Sequence, residues 1–493
     1  MSFQAMLAAR AHKDGRAQPS ALFRHRAISE NPLCIVAWQL GAEPYSVGAI
    51  AFGTKRSGPK VYVPGYPLDR ELLFSALTDF AKDFCPAFEA YAQGAVEVIE
   101  HFGAELRVPK MLPQVIVANS ETVGVLGRLG RRLAYLPTTG ERAADPILPR
   151  LGRHFMWLAA HANTPGQQLI LSMADLLATH YVAGMSSYEA RSLAAMDAWV
   201  DPGKGRHGFD AAEVAERQAV GPAPDPIDAE RVYDLMMQFN QARAGRRDAP
   251  TVRKLVKPLR DLYADLVDDT WKLVWKVVDR ERKRTEAASV SRRVREDRIA
   301  YASHLSWMVG PAQGRRKVRM NSRSAAMRLN EYERAKAMMI AEEAIDDPLR
   351  MLPVLLAGKA IAGQVLRCDP DRRELINGRN CKRPSVVLRT DEPCALPTGT
   401  EVWWTKAPAG REWVIMSVAG NGAGSEVTLI LQTNQAQEAG LPRVGQRACF
   451  SQLNTRTPYE VHLPQSTPWT HRPKEPPPPE TDLENTSDIT EAA

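Results

Sequence analysis

Apolar and polar positions in the first two hundred residues follow both strand and helix periods. Continuous apolar runs such as LCIVAWQL, bounded by Gly, Pro and charged residues, predict strands. The expected strands are 33–40, 47–53, 60–63 and 114–118. Three- and four-residue spacing predicts helix within 69–102, and helices close the region, one of them running from an N-cap at Thr164 to Gly184. The pattern favours an α+β domain over residues 1–200.

Glycine and proline concentrate in residues 201–226, which predicts a linker. Helical spacing resumes after this linker at 227–244, 251–286 and 322–345. We therefore expect a helical domain over residues 227–362.

The hydrophobic period changes to two from about residue 364, where short apolar segments alternate with turn residues. Five or six such strands fit a small β-barrel of the OB or SH3-like kind over residues 363–470. Residues 471–493 are rich in proline and acidic side chains, so we expect a disordered tail there. The predicted fold class is multi-domain α+β, with a mixed α/β N-terminal domain, a basic helical middle region and a C-terminal small β-barrel.

Positive charge is concentrated in one segment of the helical region. Residues 280–336 carry sixteen Lys and Arg against six Asp and Glu, an excess of +10 in a chain whose net charge is +7. Such an excess of one sign repels itself unless an anion lies nearby. Tyr301, Trp307 and Tyr332 are interspersed and offer rings that can stack on bases. The segment favours contact with nucleic-acid phosphates, and the alternatives are an acidic protein partner or a solvated surface.

Candidate contact residues form two basic clusters. The first comprises Arg282, Lys283, Arg284, Arg292, Arg293, Arg295, Arg315, Arg316, Lys317, Arg319 and Arg323. The second, near the start of the predicted barrel, comprises Lys382 and Arg383, together with Arg367, Arg372, Arg373 and Arg379. Trp403 and Trp404 are candidates for base stacking, and at most one of them belongs to the core, because neighbours on a strand point to opposite faces. The choice between DNA and RNA, and between single and double strands, stays open.

Several signatures of nucleotide and metal chemistry are missing from the sequence. It contains no GxxxxGK[ST] loop, no HExxH and no CxxC, so it does not indicate a P-loop ATPase or the commonest zinc sites. Gly124, Gly127 and Gly130 recur with period three, which favours close helix packing over phosphate binding. We expect no cofactor.

A metal site can be drawn from His154, His161, His180 and Asp175. These histidines are interspersed with large apolar residues, so we interpret them as histidines that hydrogen-bond within the core and expect no metal. Six isolated cysteines favour a reducing compartment, the cytoplasm. The longest apolar stretch is broken by Gly, Glu and Pro, so we expect no membrane partner.

One pattern within the basic segment suggests catalysis. Arg298 is followed, after five residues, by His304. This element on a predicted helix resembles the motif of HEPN-type ribonucleases. The resemblance covers seven residues and implies that His304 and Arg298 act on the scissile phosphate of RNA. A polar residue commonly follows the arginine in that family, whereas Ile299 stands here.

The sequence as a whole favours a cytoplasmic, non-catalytic nucleic-acid-binding protein that contacts DNA or RNA. Because it carries no ATPase or nuclease signature, we expect it to be the accessory subunit of a helicase or nuclease, in repair or in anti-phage (antiviral) defence. Two alternatives stay open. One is a HEPN-like ribonuclease that uses Arg298 and His304, and the other is a scaffold whose basic segment docks an acidic protein.

Overall fold

The structure is a computed structural model. It describes residues 2–40, 43–64, 69–101, 103–186, 189–217, 220–223, 226–244, 249–309, 322–406, 411–432 and 440–455. Four of the predicted contact residues, Arg315, Arg316, Lys317 and Arg319, lie outside these ranges, and so does the predicted tail at 471–493.

Helices account for much of the described chain. They are α1 Phe3–Asp14, α2 Arg70–Glu89, α3 Ser120–Leu133, α4 Ile147–His161, α5 Met173–His180, α6 Leu193–Val200, α7 Gly208–Glu216, α8 Pro226–Ala244, α9 Ala249–Glu281, α10 Val290–Val309, α11 Ser322–Asp346 and α12 Pro348–Leu356. In the ranges given above, none of these helices has the length and apolar character needed to cross a bilayer.

Strands occur in both halves of the chain. They are β1 Gln18–Pro19, β2 Leu33–Leu40, β3 Glu43–Gly53, β4 Lys60–Tyr62, β5 Val96–His101, β6 Ala104–Pro109, β7 Val115–Val117, β8 Ile170–Ser172, β9 Tyr181–Val182, β10 Ala360–Asp369, β11 Arg373–Ile376, β12 Arg379–Lys382, β13 Ser385–Thr390, β14 Glu401–Trp404, β15 Glu412–Asn421, β16 Gly424–Leu431 and β17 Arg447–Ser451.

A five-stranded sheet lies at the centre of the N-terminal region. Its strand order is β4-β3-β2-β7-β8. β2, β3 and β4 form an antiparallel meander, whereas β7 runs parallel to β2, and β8 runs parallel to β7. The four strands predicted in this region are confirmed as β2, β3, β4 and β7, and β8 completes the sheet without having been predicted.

Both faces of the sheet are covered, which explains why β2 is a continuous apolar run. Cys34, Val36 and Trp38 face a core that includes α5, α6, α8 and α9. Ile35 and Ala37 face a second core, which includes α2, α3, α4 and α10. The carboxyl ends of β2, β7 and β8 therefore meet at one edge of a sheet that is buried on both sides.

The predicted linker at 201–226 does not separate two cores. Val232 and Phe239 of α8 and Tyr263 of α9 are buried in the same core as Trp38 of β2. In addition, α7 folds within the predicted linker. The helices α8 and α9, which follow the predicted linker, pack on the sheet because this contact buries their apolar faces and one face of the sheet.

Two predicted helices differ from the structure. The helix expected within 69–102 ends at Glu89, and the alternating residues after it form the β5–β6 hairpin. The helix expected from Thr164 to Gly184 is wrong. The chain instead forms the three-residue strand β8 and then α5, whose N-cap Ser172 accepts a backbone hydrogen bond of 3.2 Å. A strand this short contains too few residues for a period of two to be visible.

The C-terminal region contains a closed antiparallel barrel of six strands, which confirms the predicted small β-barrel. The strand order is β10-β13-β16-β15-β14-β17, and β17 closes the barrel on β10. Trp413 and Phe450 fill its interior, with ring centroids 5.4 Å apart in an edge-to-face arrangement. Since side chains fill the interior, ligands are expected on the outer surface. β11 and β12 form a separate two-stranded ribbon.

Candidate nucleic-acid interface

The carboxyl edge of the central sheet is covered by the chain itself. Many open α/β sheets bind ligands at this edge, where the strand order reverses. Here Asn119 Nδ2, just after β7, donates a hydrogen bond to the Gly221 carbonyl at 2.7 Å. Gln39 N on β2 donates to the Pro222 carbonyl at 2.6 Å. Residues 220–223 therefore lie over the junction between β2 and β7.

Gly127 and Gly130 allow α3 to approach α4 closely. A Cβ atom added at Gly127 would lie 2.9 Å from Ala159 Cβ, and one at Gly130 would lie 2.7 Å from Met156 N. These distances leave no room for side chains. The prediction that the glycine repeat serves helix packing is confirmed for Gly127 and Gly130.

The basic residues just after α9 are mostly bound within the fold. Arg282 Nη2 donates to a backbone carbonyl of the segment before β2 at 2.6 Å, and Arg284 Nη2 donates to another carbonyl of the N-terminal segment. The Arg284 guanidinium also lies 5.1 Å from the centre of the Tyr181 ring. Lys283 between them is exposed and makes no ion pair among the described residues. Of the three predicted contacts here, Lys283 is the accessible one.

Behind these arginines lies a fully buried set of ionisable side chains. His180 Nε2 accepts a hydrogen bond from His25 N at 3.2 Å, so the ring proton sits on Nδ1, which donates to Glu281 Oε2 at 2.8 Å. His25 Nε2 donates to Asp347 Oδ2 at 3.1 Å. Burial lowers the pKa of His180, which favours the neutral ring. The set, hereafter the His180 cluster, joins the N-terminal segment to α5, to α9 and to the start of α12.

Two predicted contact residues on α10 bind carboxylates near the end of α11. Arg292 Nε lies 2.5 Å from Glu342 Oε1. Arg293 is 4% exposed, and its Nε lies 3.4 Å from Glu342 Oε2. Both arginines tie α10 to α11. Arg295 on the same helix is exposed and makes no ion pair in the described ranges.

The first part of α11 presents cations to solvent. No side chain between 322 and 340 is buried. Arg323, Arg334 and Lys336 are exposed, and none of them makes an ion pair with a described residue. Arg323 and Arg334 are separated by about three helical turns and so share a face. Arg334 and Lys336 are not among the contact residues predicted from the sequence, although both contribute to the charge excess of segment 280–336.

Arg298 and His304 do not come together as a catalytic pair. Arg298 Nη2 lies 2.6 Å from Glu97 Oε1 on β5. His304 is 1% exposed, with Nε2 lying 3.0 Å from His154 Nδ1, and its ring stacks on Trp157 with centroids 4.3 Å apart. Arg298 and His304 are six residues apart on α10, so their side chains leave the helix in different directions and contact different neighbours. A scissile phosphate has no access to a histidine enclosed in this way.

The other histidines considered as metal ligands contact separate carboxylates. His154 Nε2 lies 2.8 Å from Glu89 Oε1, and His161 Nε2 lies 2.6 Å from Asp297 Oδ1. His180 belongs to the cluster described above. Within the part of the chain that the structure describes, no group of three His, Cys, Asp or Glu side chains could hold a metal ion.

The two tryptophans considered for base stacking, Trp403 and Trp404, lie on opposite faces of β14. Trp404 is 8% exposed and belongs to the barrel core, whereas Trp403 is half-buried on the other face. Trp403 is therefore the candidate for stacking. Lys382 Nζ lies 2.9 Å from Asp371 Oδ1, and Arg383 is half-buried beside the ribbon.

Among the described residues of segment 280–336, five basic side chains are exposed and make no ion pair; they are hereafter the exposed cation set. They are Lys283, Arg295, Arg323, Arg334 and Lys336. The chain matches no known protein family, no curated protein and no solved structure.

Proposed function

We propose that the protein is a non-catalytic nucleic-acid-binding protein. Its exposed cation set contacts phosphates, and its C-terminal barrel helps to hold the strand. We further propose that it acts as the accessory subunit of a helicase or nuclease, in repair or anti-phage defence.

The charge that the fold leaves unneutralised carries this proposal. Most acidic residues of segment 280–336 already contact basic side chains or histidines. The contacts are Glu281 with His180 and Arg284, Glu286 with Arg24, Glu296 with Arg292, and Asp297 with His161. These carboxylates are therefore not available to the exposed cation set. Phosphates that contact such cations release condensed counterions, which favours binding.

An enzymatic function has less support than nucleic-acid binding, because the residues predicted to be catalytic are enclosed or bound within the fold. His304 is enclosed by aromatic rings, and Arg298 contacts the β5–β6 hairpin. The carboxyl edge of the sheet is covered by residues 220–223. Neither place brings an acid and a base to an open surface, as general acid–base catalysis requires.

Equilibrium binding at two salt concentrations tests the proposal. The purified chain is titrated into labelled single- and double-stranded DNA and RNA, and binding is followed by fluorescence anisotropy. With five phosphate contacts and a slope of about −0.9 per contact, duplex affinity falls roughly 500-fold between about 50 and 200 mM salt. Absence of binding to all four polymers at about 50 mM salt would contradict the proposal and favour an acidic protein partner.

The same preparation tests the ribonuclease alternative. We expect labelled RNA to remain intact when it is incubated with the wild-type chain. Cleavage that His304→Ala abolishes would contradict a purely binding role, provided that the variant keeps the melting temperature of the wild type.

A further inference from the structure

The β11–β12 ribbon pairs with no other strand of the described chain. Its register pairs Arg373 with Lys382 and Ile376 with Arg379. Asn377 and Gly378 form the two-residue turn, with φ of 51° and 73°. Positive φ at both positions is typical of the type I′ turn, which Asn-Gly favours.

This ribbon is exposed on both faces. Leu375 is 75% exposed, and no residue of β11 or β12 is buried. The two strands form a sheet of their own, without a third strand among the described residues. A two-stranded ribbon with no packed face is marginally stable in water. A partner that covers Leu375 would bury an apolar side chain that the described chain leaves in water.

The two faces of the ribbon differ in charge. Because side chains alternate, Arg373 and Leu375 share one face with their partners Lys382 and Asn380. This face, hereafter the Asn380 face, carries the cations Arg373 and Lys382 within the two strands, and Lys382 Nζ lies 2.9 Å from Asp371 Oδ1 in the segment before β11. The opposite face carries one acid and one cation, Glu374 and Arg379, and Glu374 Oε2 lies 3.2 Å from Arg372 Nη1. Asn380 is exposed, and its side chain makes no hydrogen bond within the described ranges.

We propose that the ribbon enters the major groove of double-stranded DNA with its Asn380 face towards the bases. This inference rests on the proposed nucleic-acid-binding function and names the polymer that the function leaves open. The major groove of B-DNA is about 12 Å wide and admits a two-stranded β-ribbon. A-form RNA has a narrow, deep major groove that side chains do not read. The width of the major groove therefore favours duplex DNA over duplex RNA as the ligand of the ribbon.

Each side chain of the Asn380 face has a matching role in that groove. The Asn380 amide can form two hydrogen bonds to an adenine edge, and Leu375 can contact a thymine methyl group. Arg373 and Lys382 lie farther from the turn, at the base of the ribbon, where they meet the phosphates that border the groove. On binding DNA, Lys382 replaces its contact with Asp371 by a contact with a phosphate. The contact that is lost contributes little energy, because Asp371 is exposed to solvent.

Substitution of the ribbon tests the inference. The variant Leu375→Ala/Asn380→Ala keeps the net charge, and Arg373→Ala removes one cation from the same face. The matched control is Arg443→Ala, which removes an exposed cation from a barrel loop outside the ribbon. Since all these side chains are exposed, we expect unchanged melting temperatures. Binding is measured by anisotropy on a DNA duplex, an RNA duplex of the same sequence and single-stranded DNA.

We expect wild-type protein to prefer the DNA duplex to the RNA duplex. The charge-neutral double variant should lose roughly tenfold or more in affinity for duplex DNA containing A·T pairs and little for single strands. Bound wild-type protein should also protect guanine N7, which lies in the major groove, from methylation, and the variant should not.

Other outcomes overturn the inference in distinguishable ways. Wild-type binding to duplex DNA that the ribbon variants retain in full would overturn the role of the ribbon and leave the proposed function standing. Equal affinity for DNA and RNA duplexes, or unprotected guanine N7, would exclude the major groove. Failure of the wild-type chain to bind any polymer would overturn the proposed function, and the ribbon's role with it.

Discussion

Acidification is expected to destabilise the protein through the His180 cluster before its carboxylates titrate. His180 is fully buried between the Glu281 carboxylate and the backbone N–H of His25, with the Arg284 guanidinium nearby. A proton added at Nε2 would point at the N–H of His25 and break that hydrogen bond. Burial accordingly lowers the pKa of His180 from its ordinary value of 6.5.

The sign and size of the effect follow from proton uptake on unfolding. Below pH 6.5 the unfolded chain binds a proton at His180 that the folded chain does not, so the free energy of unfolding falls as the pH falls. The slope approaches about 1.4 kcal/mol per pH unit for each such histidine. Burial also lowers the pKa of His154, so two histidines together give a slope of up to about 2.7 kcal/mol per unit.

Carboxylates contribute in a lower pH window. The Arg26 guanidinium contributes to the lowered pKa of Glu343, and hydrogen bonds from His25 and from backbone amides hold that of Asp347 at about 2. The stability that these two groups provide is lost only as the pH falls below their ordinary values of 4.5 and 3.8. Between about pH 6.5 and pH 5 the histidine contribution is therefore separable.

Urea unfolding followed by tryptophan fluorescence between about pH 7.5 and pH 5.5 measures this slope. The substitution His180→Gln should halve the dependence on pH, because one of the two histidines is removed. The control Gln4→Ala changes an exposed side chain that does not titrate and should leave the slope unchanged. A wild-type midpoint that stays constant over this range, or a His180→Gln slope equal to that of the wild type, would show that His180 does not cause the loss of stability.

Three further substitutions test other parts of the structure. Asp347→Ala removes a fully buried carboxylate that N-caps α12, and should cost about 3–5 kcal/mol in urea unfolding, whereas exposed Asp371→Ala should cost little. Gly48→Ala places a Cβ 1.9 Å from a buried tyrosine hydroxyl on α9 and should cost about 1–3 kcal/mol, so an unchanged melting temperature would contradict this packing. Trp403→Ala should weaken single-strand binding by about 1–3 kcal/mol without unfolding the barrel, whereas Trp404→Ala should destabilise the barrel core.

The sequence predicted the sheet and the barrel where the hydrophobic period was long enough to be recognised. β2 and β3 are long apolar runs, and the barrel strands repeat with a period of two between turns. β8 has three residues, and the helix that follows it extended the apparent helical pattern back to Thr164. The hairpin after Glu89 alternates, but it is separated from α2 only by the short helical turn Ala90–Gln93, so the predicted helix extends across it.

The number of charges in a segment does not show which arginines pair with carboxylates inside the fold and which are exposed to solvent. Glu342, which contacts both Arg292 and Arg293, lies 50 residues from Arg292, and the carboxylate partner of His25 lies 322 residues away. Local rules for charge pairs extend only three or four residues along a helix. For this reason the sequence selected Arg292 and Arg293, which tie helices together, and did not select Arg334 or Lys336.

The exposed cation set is the basis of the proposed function, and a salt titration with two matched variants tests it most directly. One variant is Arg323→Gln/Arg334→Gln/Lys336→Gln. The control neutralises three exposed cations elsewhere, on α1, on β6 and after α12. These are Lys13→Gln, Arg107→Gln and Lys359→Gln.

Both variants lower the net charge by the same amount, so a general charge effect would weaken binding equally. We predict that the first variant reduces the slope of log affinity against log salt by about 2–3, or about 0.7–0.9 for each lost phosphate contact, and that the control leaves the slope nearly unchanged. Equal slopes for wild type and the first variant, or equal losses in both variants, would contradict the account.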